Sequence, residues 1–368
     1  MTNRRTFLAG AGIAALGAVA PGIANAGTTD RLKSLVDSQL ADAAGKGYPS
    51  LVIGLFDRHG QYVAGTGDSG QPDGGRPGGR TIYQIGSITK TFTGLAVALE
   101  VVHGRRRFED PLQRYLPGRL RLPTWQGKEI TIGDVATHTS GIPSFPESWA
   151  KRPDIDWRDP YAIFTLKDVA TALRETTLPR EPGKVFDYSN LATGLQGQSL
   201  AIGEEAAYES VVRPRITGPL GLRDTSTALT GEQCRRKATG HDETGASTPD
   251  WHVRTCAAAG ALYGTVDDLL RYVRAYLAPA RGPLGEAMRL VRQPRVAVDP
   301  ARNIGVNWIL QPLPRSGKQL VWHNGGTGGF RSFAGFCPGS GTGVAVLTNI
   351  AKEVDPIAVE LLDAVSGP

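Results

Sequence analysis

The segment Gly86-Ser87-Ile88-Thr89-Lys90 sets a hydroxyl and an amine three residues apart, where a loop gives way to an apolar stretch carrying Phe92, Leu95, Leu99 and Val102. Residues at that spacing share a helix face, so the Lys90 amine can reach the Ser87 hydroxyl. A serine hydroxyl is a poor nucleophile until a base takes its proton as it attacks a carbonyl. Lysine is such a base only when neutral. Lowering its pKa from about 10.4 to near 7 costs about 4 kcal/mol, which calls for burial and neighbouring positive charge. The helix start also offers the Ser87 N–H to an oxyanion. The plain alternative is a capping serine beside a solvated lysine. The apolar setting of Ile85, Phe92 and Leu95 argues against it.

Two further segments carry chemistry. Asp187-Tyr188-Ser189-Asn190 follows Pro182-Gly183-Lys184 and precedes an apolar run from Leu191. A tyrosine there can relay protons as a phenolate if cations lower its pKa, and the Asn190 amide can donate to a substrate carbonyl while accepting from Lys90. Ser189 or Asn190 also suits a helix N-cap. Near the C-terminus, His323-Asn324-Gly325-Gly326-Thr327-Gly328-Gly329-Phe330 lies between two strand-like runs. Its glycines let backbone approach a ligand, and an edge strand there could present N–H groups to a substrate. His323 can supply a charge or a hydrogen bond. Read in isolation, the segment is better taken as a glycine-rich hairpin turn with an incidental histidine.

These segments need elements to hold them. Leu32, Leu35, Val36, Leu40 and Ala43 fall at helical spacing. Ser50 to Asp57 and Gln61 to Thr66 read as a hairpin around Arg58-His59-Gly60. Helices are expected at Leu166 to Leu173, Leu191 to Ile202 and Val266 to Leu277, the last capped by Thr265. Strands are expected again at Asn303 to Gln311, Gln319 to Trp322, Arg331 to Phe336 and Gly343 to Thr348, closed by a helix from Asp355 to Val365. The expectation is an α+β fold: one antiparallel sheet built from both ends of the chain, flanked by helices, with a mostly helical inserted region. Within a single catalytic domain over 27–368, the α/β part would comprise about 27–100 and 285–368, and the helical part about 101–284.

At 368 residues the chain can bury a substantial core. Its net charge of +6 is mild, and Arg105-Arg106-Arg107 is its one tight basic run, expected as a solvated helix end; a nucleic-acid footprint is poorly supported. Arg4-Arg5 precede Phe7-Leu8 and a small, apolar run to Ala20, with Ala24-Asn25-Ala26 before Gly27. This fits an export signal over residues 1–26 of the twin-arginine type, cleaved near Ala26, with retention as a short anchor the alternative. The expected location is periplasmic, cell-wall associated or secreted. In an exported protein, Cys234 and Cys256 invite pairing into a disulfide that closes a surface loop, whereas Cys337 sits in an apolar, strand-like setting and reads as a buried hydrophobe.

Taken together, and in this order, the three segments resemble the serine β-lactamase and penicillin-binding superfamily on its class C side, which includes D-Ala-D-Ala carboxypeptidases, D-amino-acid amidases and esterases. The resemblance extends from about Val52 to Thr348 and takes in Thr137-His138-Thr139-Ser140-Gly141-Ile142-Pro143, Pro219 to Thr225, and Ala259 to Thr265. It implies a β-lactamase/transpeptidase-like fold with Ser87 as the acylated nucleophile, Lys90 as its base and Tyr188 as proton shuttle. Asn190, His323 and Gly325 would bind substrate, and the Gly326 N–H would complete the oxyanion hole. It also supports the Cys234–Cys256 pair. One departure is that class C β-lactamases usually carry lysine where this chain has His323. A neutral imidazole holds a carboxylate less well than an ammonium, and a requirement for charged His323 would make activity vary between about pH 5 and 8.

The expected function is therefore an exported serine hydrolase forming an acyl-enzyme on D-Ala-D-Ala-type peptides or β-lactams. The alternatives are a β-lactamase proper, an esterase with Phe145, Trp149 and Trp322 lining an apolar pocket, or a non-catalytic sensor. No cofactor or metal is implied. The expected partner of a monomeric chain is a small-molecule or peptide substrate, not a nucleic acid or a membrane.

Overall fold

The structure, a computed structural model, describes residues 26–71 and 74–367. The expected export signal lies outside these residues except for Ala26. Both ends of the chain build one eight-stranded antiparallel sheet, in the order Gln61–Gly67, Ser50–Phe56, Thr342–Thr348, Arg331–Cys337, Gln319–Gly326, Ile309–Pro312, Asn303–Ile304 and Val296–Ala297. Register pairs Val52 with Leu347 and Ala334 with Ala345, so the sheet's centre joins residues almost three hundred positions apart.

Strand alternation sorts the side chains into two cores. Leu51, Ile53 and Leu55 face the terminal helices Ala26–Ala44 and Asp355–Ser366, together with Val344, Val346 and Phe333. Val52 and Phe56 face the larger core, under the helices Val266–Leu277 and Thr89–Val102. Gly54 allows the first of these to close on the sheet, since a Cβ there would stand 2.5 Å from Val266 Cγ1. Thr265 caps that helix by accepting from the Asp268 N–H, as expected.

Several elements depart from the sequence reading. The stretch expected as one strand over Asn303 to Gln311 is two short strands, broken where Asn307 takes a φ of +57°. The strand at Gln319 runs on to Gly326, so His323-Asn324-Gly325-Gly326 is sheet and not turn. Arg105-Arg106-Arg107 is only partly a solvated run: Arg105 forks onto Glu100, and the Arg106 guanidinium lies over the Tyr115 ring at 4.2 Å while donating to Ser199.

The expected Cys234–Cys256 disulfide is absent, and both thiols are free. Cys234 sits in the surface helix Gly231–Arg235. Cys256 is buried against the helix Asn190–Leu200, where a Cβ added at Gly194 would stand 2.8 Å from its Sγ. The two cysteines flank a polar stretch in the sequence, which suggested a surface pair, but the fold leaves Cys234 exposed and draws Cys256 into the core. Cys337 is buried in its strand, as expected. Alkylation without reductant should label Cys234 in the native protein and add Cys256 and Cys337 only after denaturation; a Cys234–Cys256 cross-linked peptide by mass spectrometry would contradict the structure.

Candidate active site

Ser87 lies in a single 3-10 turn, Gly86–Ile88, that runs directly into the helix Thr89–Val102. Gly86 adopts a φ of +49°, and a Cβ on it would stand 2.7 Å from the backbone nitrogen of Gly326. One residue further in along the same strand, a Cβ at Gly325 would fall 2.0 Å from the Ile85 carbonyl oxygen, which accepts from Ser332 Oγ at 2.8 Å. Glycine on both sides lets the end of strand Gln319–Gly326 press against the turn carrying Ser87. The backbone of Gly326 and the side chain of Ser87 thus line one cavity of about 720 Å³.

Lys90, in the first turn of that helix, is fully buried. Its Nζ lies 3.0 Å from Ser87 Oγ, 2.7 Å from Asn190 Oδ1 and 2.7 Å from the Ala259 carbonyl oxygen. Carbonyl oxygens only accept, so two N–H groups are committed to them; in the neutral amine the remaining lone pair is free for the Ser87 hydroxyl. Burial pulls the Lys90 pKa down to about 7. The positive neighbour expected from sequence is not needed, because desolvation alone disfavours the ammonium. The Ala259 carbonyl reaches Lys90 because segment 254–260 packs flat on the helix Asn190–Leu200, with Ala258 Cβ occupying the space a Cβ on Gly197 would take.

Tyr188 lies with its ring centroid 4.8 Å from Lys90 Nζ. Burial pushes its phenol above the ordinary range, and a hydrogen bond with Ser87 offsets this only in part. The expectation of a cation-lowered phenolate is thus reversed: Tyr188 holds its proton. Asn190 starts the helix capped by Ser189, as expected, and its Nδ2 donates to Tyr161 Oη at 3.2 Å.

His323 points from its strand toward the site and is 4% exposed. Its Nδ1 faces the Asn324 carbonyl at 2.5 Å, which requires the proton there, and burial lowers its pKa to about 4. At neutral pH it is an uncharged imidazole, not the positive charge sequence reading allowed for. Trp322, one residue earlier, points to the opposite face of the sheet and stacks on Phe333, so it cannot line the site. Trp149 is buried against Phe164, and Phe145 lines a separate cavity of about 580 Å³. The aromatic groups around Ser87 are Tyr161, Tyr188 and Trp251.

The sequence reading gave no role to His138. Its backbone φ is +54°, its ring stacks on Tyr188 with centroids 4.4 Å apart, and its Nδ1 accepts from the Ser189 N–H at 3.2 Å. Burial, then the nearby Lys90 and His323, hold its pKa well below the usual imidazole range, so it stays neutral and can accept. The Asp187 N–H donates to the His138 carbonyl at 2.6 Å and the Asn190 N–H to Ser144 Oγ at 3.1 Å, which zips the two loops together. An isolated histidine in a loop sequence carries no sign of a stacking partner fifty residues later.

An antiparallel sheet closed by both termini, with a serine and a buried lysine at the start of an apolar helix, defines a serine hydrolase of the β-lactamase type. The chain belongs to the β-lactamase family, whose model matches residues 33–365. It is similar to the D-alanyl-D-alanine-carboxypeptidase/endopeptidase AmpH of Escherichia coli (strain K12), at 28% identity over 317 residues, covering 82% of this chain and 80% of that protein. Its fold is similar to a class C β-lactamase (TM-score 0.79, 19% identity, 93% of this chain and 98% of that one). It is likewise similar to a β-lactamase/D-alanine carboxypeptidase from Pseudomonas syringae (TM-score 0.75, 20% identity, 90% and 97%).

His138 acts on the site through Tyr188 and is thus a positioning residue. In His138→Phe, which keeps a ring but loses the Ser189 acceptor, kcat should fall about tenfold with KM changing less than twofold, as expected of a misplaced proton carrier. Retained kcat in His138→Asn, which tolerates the positive φ and keeps an acceptor but no ring, would assign the effect to the hydrogen bond, whereas a parallel loss there would show that the stack is needed as well.

Proposed function

We propose that Ser87 attacks the carbonyl of an amide or ester as Lys90 takes its proton, giving an acyl-enzyme. The observation that carries this reading is the Lys90 amine, fully buried, held by two carbonyls and 3.0 Å from Ser87 Oγ. With a pKa of about 7, a large fraction is free base at neutral pH. The tetrahedral oxyanion is met by the backbone N–H groups of Ser87 and Gly326. Tyr188, kept as a phenol, donates to the departing group, and the Lys90 ammonium then passes the proton it took from Ser87 to the Tyr188 oxygen, leaving Lys90 a free base again. In the second half a water attacks the ester as the Lys90 amine, directly or through Tyr188, takes its proton, and that proton passes to Ser87 Oγ as the acyl group leaves.

The substrates of this reading are D-Ala-D-Ala-type peptides, with β-lactams as acylating mimics, on a protein exported by the arginine-bearing leader. Similarity to AmpH and to the Pseudomonas syringae enzyme supports this substrate class. A β-lactamase proper differs only in how fast water clears the acyl group. Wild type should be labelled by fluorescent penicillin and Ser87→Ala should not; label that persists marks a peptidase, and rapid turnover of a chromogenic cephalosporin marks a β-lactamase. Equal labelling of both proteins would remove Ser87 from the nucleophile's role.

The free base of Lys90 is the active form, and protonation below its pKa removes it. The value of kcat/KM should therefore rise with pH through about 7 and level off above it. His323, with a pKa of about 4, is neutral throughout pH 5–8, so His323→Asn should leave the position of this limb unchanged. A limb that moves in His323→Asn and not in Lys90 variants would contradict the assignment.

A further inference from the structure

We propose that Arg331 is a positioning residue of the oxyanion hole: its guanidinium ties the glycine-rich turn that follows Gly326 and so keeps the Gly326 N–H aimed at the reacting carbonyl. The inference rests on the reading in which Ser87 forms the acyl-enzyme and Gly326 meets its oxyanion. The need for such a tie is set by the sequence. Gly325-Gly326-Thr327-Gly328-Gly329 places four glycines in five residues at the end of the strand Gln319–Gly326. Glycine loses more conformational freedom on ordering than any other residue, so a strand end of this composition frays unless a group outside it holds it.

The sheet's own hydrogen bonds do not hold the donor. The Thr327 N–H donates to the Phe330 carbonyl at 3.1 Å, which closes the hairpin. Bonded and unbonded pairs alternate along antiparallel strands, so the next pair, Gly326 opposite Arg331, exchanges no hydrogen bonds. The Gly326 N–H therefore points away from the neighbouring strand and toward the turn that carries Ser87, where a Cβ on Gly86 would stand 2.7 Å from the Gly326 nitrogen. That orientation suits an oxyanion donor, and it leaves the N–H without a strand partner to fix it.

Arg331 supplies the tie. Its Nη1 donates to the Thr327 carbonyl at 2.7 Å and to the Phe330 carbonyl at 3.0 Å, so one nitrogen spans both ends of the turn. The side chain reaches them by crossing directly over Gly326: a Cβ there would stand 3.1 Å from Nη1 and 3.3 Å from Cζ. Burial works against the charge of the guanidinium, and Glu243, Glu353 and Asp355 work for it. These carboxylates line the same cavity as Arg331 and Ser87, so the acidic wall keeps a half-buried arginine charged above the strand end.

The test measures acylation by p-nitrophenyl acetate in the first turnover, together with inhibition by phenylboronic acid, whose tetrahedral adduct with a serine places an oxygen in the oxyanion hole. In Arg331→Met the limiting acylation rate should fall about tenfold, the half-saturating ester concentration should change less than twofold, and the boronate Ki should rise by the factor by which the rate falls. The acid limb at about pH 7 should stay in place, since Lys90 is untouched. Arg331→Lys, which keeps the charge on a shorter and non-planar head, should show a smaller change with the same parallel between rate and Ki, and it carries the test if Arg331→Met does not fold. An unchanged Ki in a folded variant overturns the proposal, as does a rate loss that moves the pH limb, which would place the effect on Lys90. Ser87→Ala separates the two levels of inference: a wild-type acylation burst in it overturns the acyl-enzyme reading on which this one rests, whereas a Ser87-dependent burst with wild-type Ki in both Arg331 variants removes the role of Arg331 alone.

Discussion

The site depends on keeping one amine out of water. Lys90 is useful as a base because it is buried with two carbonyl acceptors and, among the described residues, no carboxylate that holds it as an ammonium. A salt bridge at the same place would stabilise the charged form and remove the lone pair. Much of the surrounding architecture serves this exclusion. The apolar face of the helix Thr89–Val102 places Phe92 and Leu95 in the core and carries Lys90 inward with them. Segment 254–260 then closes over the amine because Gly194 and Gly197 let it lie directly on the neighbouring helix.

The second requirement is a close approach of backbone to backbone. The strand Gln319–Gly326 ends against the Ser87 turn, and the contact exists only because Gly86 and Gly325 have no Cβ. The strand is held from its other side by Arg331–Cys337, with Gly325 opposite Ser332 and Gly326 opposite Arg331. The sheet, closed by the two ends of the chain, is thereby the rigid support against which the helical region positions its nucleophile.

A third coupling joins the loops of the helical region. His138 and Tyr188 stack, and backbone hydrogen bonds tie the segment 137–144 to the segment 183–191. The neutral state of His138 matters here, because a protonated imidazole could not accept from the Ser189 N–H and would add charge beside Lys90. Tyr188, His138 and His323 are thus uncharged at neutral pH around Lys90, whose pKa of about 7 leaves a large share of it as free base.

The chemistry of Ser87, Lys90, Tyr188, Asn190 and His323 was legible in the sequence because each belongs to a local pattern: a helix face, a capped loop, a glycine-rich strand end. Helix and strand positions were likewise legible from periodicity, including the Thr265 cap and the assembly of one sheet from both termini. Protonation states were not legible, since they depend on how much protein surrounds a group. Thus Tyr188 and His323 proved neutral where a phenolate or a cation had been allowed for, and Lys90 needed no positive neighbour. Pairings across the chain were also beyond local pattern. Cys256 lies in the core apart from Cys234, Trp322 faces away from the site by strand parity, and the Ala259 carbonyl that holds Lys90 has no side-chain signature at all. Local composition determined which groups were available; long-range packing decided which of them meet and which are charged, because desolvation and distance are properties of the folded arrangement.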